Sequence, residues 1–107
     1  MMYARIVNMR LKKNAQDEFT KMFEKEIVPM LRKQTGFQDE LSFITPDHTQ
    51  VTGISLWNKK ESADEYNHTT YPEVLKHLSK VIDGTPEVRT FEVSSSTFHK
   101  IVAGQTI

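Results

Sequence analysis

Apolar and polar residues alternate from Tyr3 to Leu11. Arg5, Val7, Met9 and Leu11 fall on one side, and Ala4, Ile6, Asn8 and Arg10 on the other. A period of two predicts a strand buried mainly on one face. Lys12, Lys13 and Asn14 interrupt the pattern, and Asn14 is a good helix N-cap with Asp17 and Glu18 in the following turn. Phe19, Met22, Phe23, Ile27, Met30 and Leu31 then recur at spacings of three and four, which predicts an amphipathic helix over residues 15–34. Pro29 lies inside it, removes one backbone hydrogen bond and predicts a bend near Lys25. Gly36 is the natural stop.

Phe37–Ile44 reads as a second strand, with Phe37, Leu41 and Phe43 on one face. Pro46, Asp47 and His48 signal a turn, and Gln50–Trp57 alternates again, so an antiparallel hairpin is expected. A short helix is predicted over residues 61–67, capped by Asn58 or Ser62. A second start falls at Thr70, with Pro72 near its first turn. Val74, Leu75, Leu78, Val81 and Ile82 form the stripe of this second helix, which Gly84 and Pro86 are expected to end. A fourth strand is predicted over residues 87–94 and a tail over 95–107, with Phe98, Ile101 and Val102 to bury.

The order βαββαβ defines one ferredoxin-like α+β domain over residues 1–107, its core at about 2–94: a four-stranded antiparallel sheet with helices on one face. The strands are apolar on both faces, so the uncovered face is expected to meet a second copy about a two-fold axis. The tail is expected to pack on that partner. A chain of 107 residues gains core by such pairing.

Composition narrows the functions. Fourteen basic residues balance fourteen acidic ones, which leaves no electrostatic footprint for nucleic acid or an anionic membrane. No cysteine is present, which excludes disulfides, thiolate metal sites and cysteine nucleophiles. No leader or membrane span is expected, so the location is read as cytoplasmic. The glycines are isolated and form no phosphate loop, and Ser94, Ser95 and Ser96 resemble no nucleophile elbow. An RNA-binding sheet needs exposed aromatics on its third strand, and Val51 to Leu56 holds none.

Three stretches carry a family resemblance: Ile27 through Phe37, Ser55 through Ala63, and Tyr71 to Leu75 with Gly84-Thr85-Pro86. With them the chain resembles the antibiotic-biosynthesis-monooxygenase-like family of the dimeric α/β barrel superfamily. The resemblance implies a homodimer with a pocket between sheet and helices in each subunit, holding a small apolar or aromatic molecule. It implies oxidation of an activated polycyclic phenol by dioxygen without a cofactor. Asn8, Trp57, Tyr66, Tyr71 and Arg89 are the catalytic candidates. Tyr and Asn can hydrogen-bond a phenolic oxygen, and Arg favours its anion. Core packing is the plain alternative for Trp57 and Tyr66.

A second branch of this fold binds and degrades haem. The resemblance then maps Asn8 to a first-strand Asn and His77 to an axial ligand, while Tyr66 stands where that branch has Trp. His68 lies at the helix break and is a further ligand-binding candidate. Glu73 and His77, one turn apart, could join it around a metal, although such pairs are common by chance. A non-catalytic dimer that binds a small apolar ligand is the reading from a different class.

Overall fold

The computed structural model describes residues 1–101. Strand β1 (Tyr3–Leu11) lies inside a four-stranded antiparallel sheet with β2 (Phe37–Ile44), β3 (Gln50–Trp57) and β4 (Ile82–Glu92), in the order β2-β3-β1-β4. The alternation read in β1 holds. Arg5, Val7, Met9 and Leu11 are buried under the helices, while Asn8 and Arg10 on the other face are exposed. Val102 and the rest of residues 102–107 lie outside the described residues.

The long first helix forms with a defect where proline requires one. It runs as α1 (Gln16–Met22), a π-helical turn (Phe23–Ile27) and α2 (Val28–Arg32). Pro29 has no N–H, and its ring would clash with the carbonyl of Lys25 in a regular α-helix. The wider π turn takes up that mismatch. Phe19, Ile27 and Leu31 bury the apolar stripe. Asn14 does not cap the helix. It sits in the left-handed region at φ 59, a conformation Asn tolerates, and the cap position falls to Ala15 without a side-chain bond.

Gly36 reverses the chain at φ 82. A Cβ there would lie 2.3 Å from both Asn58 Oδ1 and Ser62 Oγ. Those two side chains bond each other at 2.9 Å, and Asn58 N–H donates to the Gly36 carbonyl at 2.8 Å. Neither side chain caps α3 (Lys60–Thr69), whose cap position is Lys59. Gly36→Ala is expected to destabilise the fold by roughly 1–3 kcal/mol from backbone strain, and more if the clash does not relax. The urea midpoint measures this, and an unchanged midpoint would refute it.

Two expectations about faces are corrected. Phe37 does not share a face with Leu41 and Phe43. The register shifts between Phe37 and Asp39, and the bulge turns Phe37 to the helix side against Trp57. The second crossover is two helices, α3 and α4 (Tyr71–Leu78), that meet at Thr70 as expected. Its stripe ends at Leu78, however. Val81 is buried in a turn and Ile82 opens β4, which runs on through Gly84 and Pro86. Periodicity could not separate these cases, because both residues are buried whichever element holds them. Pro86 is tolerated because β4 is an edge strand, and Gly84, at φ 72, sits by the register shift opposite Asn8 and Arg10.

The helices leave the other sheet face uncovered. Strand register places Ile6, Ile54 and Leu56 there, with Leu41, Phe43 and Phe91 exposed beside them. Ser96 and Ile101 bridge each other, and the His99 imidazole contacts the Asp39 carboxylate of its own sheet. Phe98, expected to be buried, is 79% exposed in the single chain.

Candidate functional site

The site is built from the buried half of β1 upward. Arg5 is in phase with Val7 and Met9, so the strand points its side chain beneath the helices, where it is only 3% exposed. Its Nη2 donates to Asn67 Oδ1 at 2.8 Å. The guanidinium carbon lies 4.0 Å from the ring centre of Tyr71 and 5.2 Å from that of Tyr66. Cation–π contact of this kind offsets part of the desolvation of a buried cation. Among the described residues no carboxylate pairs with Arg5. Burial lowers its pKa from the ordinary value, and the neighbouring tyrosines oppose that shift. The result is a buried guanidinium, still cationic near neutral pH, with no counter-charge.

Aromatic residues form the wall beside it. Trp57 is 0% exposed, donates from Nε1 to Ser55 Oγ at 2.9 Å and stacks on Tyr66 at 4.9 Å between ring centres. Tyr66 and Tyr71 are 6.1 Å apart. Burial pushes the Tyr66 phenol up to about 12, and burial also raises Tyr71. Both phenols are therefore protonated donors at neutral pH. Among the described residues the buried Tyr71 hydroxyl makes no well-formed hydrogen bond; the Arg5 guanidinium is its polar neighbour, and both residues line the same space.

That space is a cavity of about 40 Å3 between sheet and helices. Val7, Met9, Ile27, Leu31, Val74 and Leu78 give it apolar walls, and Arg5, Ser55, Tyr66, Tyr71 and Glu40 give it polar points. Glu40 reaches the wall from β2 and accepts a hydrogen bond from the Ser42 hydroxyl. Burial raises its pKa, and the Ser42 bond partly counters this. A volume of this size admits only a few waters, far short of a cavity for an organic ligand.

The structure thus brings together Tyr66 and Tyr71, with Trp57 behind Tyr66 as support and not part of the cavity wall. It does not bring in Asn8 or Arg89. Alternation puts both on the helix-free face, where Asn8 Oδ1 accepts from Thr52 Oγ1 at 2.7 Å and Arg89 lies over Phe91. His68 is exposed, and His77 is partly buried but absent from the cavity wall. These positions do not fit haem. The strand Asn and the helix His lie on opposite sides of the sheet, and the cavity between sheet and helices is far too small. Among the described residues no three His, Asp or Glu side chains converge as metal ligands, and Glu73 pairs instead with Lys76 at 3.5 Å.

Sequence reading passed over Arg5 and Glu40. The signal for Arg5 was present: a cation in register with three buried apolar residues of one strand. Glu40 carried no such signal, because its face depends on the β2 bulge.

No protein-family model and no curated protein matches the chain. Solved structures do. SnoaB from Streptomyces nogalater, a cofactor-independent oxygenase, superposes with a TM-score of 0.75 over 90% of this chain and 96% of its own, at 14% identity. A monooxygenase from the gene ActVA-Orf6 of Streptomyces coelicolor, solved with nanaomycin D, gives 0.73 over 88% of each chain at 15% identity. A Bordetella bronchiseptica protein named as a candidate antibiotic biosynthesis monooxygenase gives 0.73 over 86% of this chain and 96% of its own, at 13% identity. The fold is the ferredoxin-like α+β fold of antibiotic biosynthesis monooxygenases. At these identities the likeness establishes architecture, and the chemistry has to be argued from the site.

Proposed function

We propose that the protein is a cofactor-independent oxygenase for a small aromatic phenol. The observation that carries this is Arg5, a buried cation without a counter-ion among the described residues, set beside a Tyr71 hydroxyl that makes no well-formed hydrogen bond among them, at an apolar cavity. A phenolate or enolate oxygen is the partner both groups lack. Arg5 lowers the phenol's pKa by stabilising its anion, and Tyr71 donates a second hydrogen bond to the same oxygen. Glu40 accepts the proton. The resulting carbanion, with apolar side chains around it, reduces dioxygen. One oxygen atom enters the ring carbon as a carbonyl and the other leaves as water with the two hydrogens of the oxidised CH2, so the substrate supplies all the electrons. Neighbours of the same fold that carry oxygenase names support this choice of chemistry. The test is aerobic incubation with 1,8-dihydroxyanthrone, following quinone absorbance and oxygen uptake. Turnover no faster than the buffer reaction would refute the reading.

Glu40 makes the pH dependence predictable. Its folded-state pKa is raised, so its contribution to stability is present below the ordinary carboxylate range and is lost as pH rises through the raised value. Turnover is expected to climb over that same window as the base ionises. Glu40→Gln is expected to remove both the stability slope and the acidic limb of the rate profile. A limb that persists in the variant would assign the base elsewhere.

We further propose that two copies pair through their helix-free faces, on which Leu41, Phe43 and Phe91 are exposed. Phe43→Glu is expected to shift the wild-type dimer mass to a monomer in size-exclusion chromatography with light scattering. A monomeric wild type at micromolar concentration would exclude the pairing.

A further inference from the structure

The cavity at Arg5 has a large neighbour. A groove of about 760 Å3 runs between the first helix and the edge strand β2. Phe19, Val28 and Ile44 give it apolar surface, and Arg32 lies along it. Its volume falls within the range of small-molecule sites. Two side chains, Phe23 and Glu40, belong to the walls of both the groove and the inner cavity. They stand on opposite banks, Phe23 on the helix and Glu40 on β2. Phe23 is also the first residue of the π turn, and its ring lies 5.5 Å from that of Phe19, itself in the groove wall.

From this we infer that Phe23 is the gate between an entry groove and the inner cavity, and that the π turn is its hinge. The substrate is a phenol of more than one ring. Its phenolic end lies at Arg5 and its remaining rings lie in the groove. This deepens the reading above, from which it takes the class of ligand. Three observations converge on it. The inner cavity has room for a few waters and for no ring, so a ligand that reaches Arg5 must displace a wall. Among the residues of its wall, Phe23 is an apolar side chain shared with the only space on that side large enough to hold the rest of a polycycle among the described cavities. The π turn is the one irregular segment of the helix that carries it, and irregular turns of this kind recur at functional sites. Glu40, on the facing bank, then stands where the phenol passes, and takes its proton as the phenolic oxygen reaches Arg5.

The test uses 1,8-dihydroxyanthraquinone, which cannot be oxidised at the same carbon, and the fluorescence of Trp57, the only tryptophan. Binding next to Tyr66, on which Trp57 stacks, is expected to quench that emission. Stopped-flow mixing with the intact protein gives association and dissociation rates. Phe23→Ala is expected to raise the association rate at least tenfold and to raise dissociation with it, with Kd changing less than either rate. Phe23→Leu, which keeps apolar bulk and guards against a folding artefact, is expected to fall between. Rates unchanged in both variants would overturn the gate, as would an absence of quenching in wild type and variants alike. The two readings fail separately. Anthrone turnover with rates indifferent to Phe23 would retain the oxygenase and remove the gate. Quenching gated by Phe23 without any turnover would retain the gate and remove the oxygenase.

Discussion

Replacing Arg5 by methionine is expected to lower kcat/KM for anthrone oxidation by about 100-fold or more while leaving the fold as stable as before, or more stable by about 1–4 kcal/mol. The two effects have one origin. Arg5 is 3% exposed, has no carboxylate partner among the described residues, and donates a side-chain hydrogen bond to Asn67. A guanidinium so placed has lost its hydration and regains only part of that from two tyrosine faces. Methionine fills a similar volume without the charge. Asn67 is exposed and can turn to water, so its loss of a partner costs little. The missing term is the one the reaction uses: a fixed positive charge in an apolar cavity, in place before the anion forms. Arg5→Lys separates charge from shape. It keeps the charge but not the planar contact with both rings, and a loss between those of wild type and Arg5→Met is expected. Urea unfolding and steady-state kinetics on the same preparations decide the matter. A large fall in stability with Arg5→Met would show that Arg5 is structural, and unchanged turnover would show that the anion is held elsewhere.

Trp57→Ala is expected to cost about 3–5 kcal/mol, a large share of the roughly 5–15 kcal/mol that holds a domain of this kind together. Trp57 is fully buried and lies between Phe37 and Tyr66, at 5.6 and 4.9 Å between ring centres. Deleting the indole leaves a cavity that a bulged β2 and a helix fixed at Gly36 cannot close. It also strands the Ser55 hydroxyl, which accepts a buried hydrogen bond from the indole N–H. Trp57→Phe is expected to cost less, and to leave turnover within a few-fold of wild type, because the indole supports Tyr66 from behind and does not line the cavity. Thermal melts measure the first expectation. Turnover falling to background in a well-folded Trp57→Phe would contradict the second and place the indole among the groups that touch substrate.

The Arg5 and Trp57 variants probe different links. Arg5 tests the step from site to chemistry and is expected to separate activity from stability. Trp57 tests the step from packing to site and is expected to move stability first. The absence of any matching protein-family model makes that separation useful, since shared architecture at 13–15% identity does not carry a reaction with it.

Local pattern alone determined the element order, the buried and exposed faces of β1, the irregularity that Pro29 imposes on the first helix, the turn at Gly36 and the helix break at Thr70. Each depends on interactions within a few residues: alternation of side chains, a missing N–H, a positive φ, a proline in a first helical turn. Composition excluded thiol chemistry because cysteine is absent. Which residues share the cavity was a different matter, decided by register between strands far apart in the chain. The bulge at Phe37 turns that ring and Glu40 toward the helices, and pairing with β1 sends Arg89 to the opposite face beside Asn8. A one-residue shift reverses every side chain beyond it, and nothing local marks such a shift. The same holds for Val81 and Ile82, buried in a turn and a strand and not on a helix. Arg5 stood in plain view within an apolar alternation. Only the folded chain shows that no carboxylate among the described residues meets it, because a counter-ion for a strand residue comes from wherever the topology brings one.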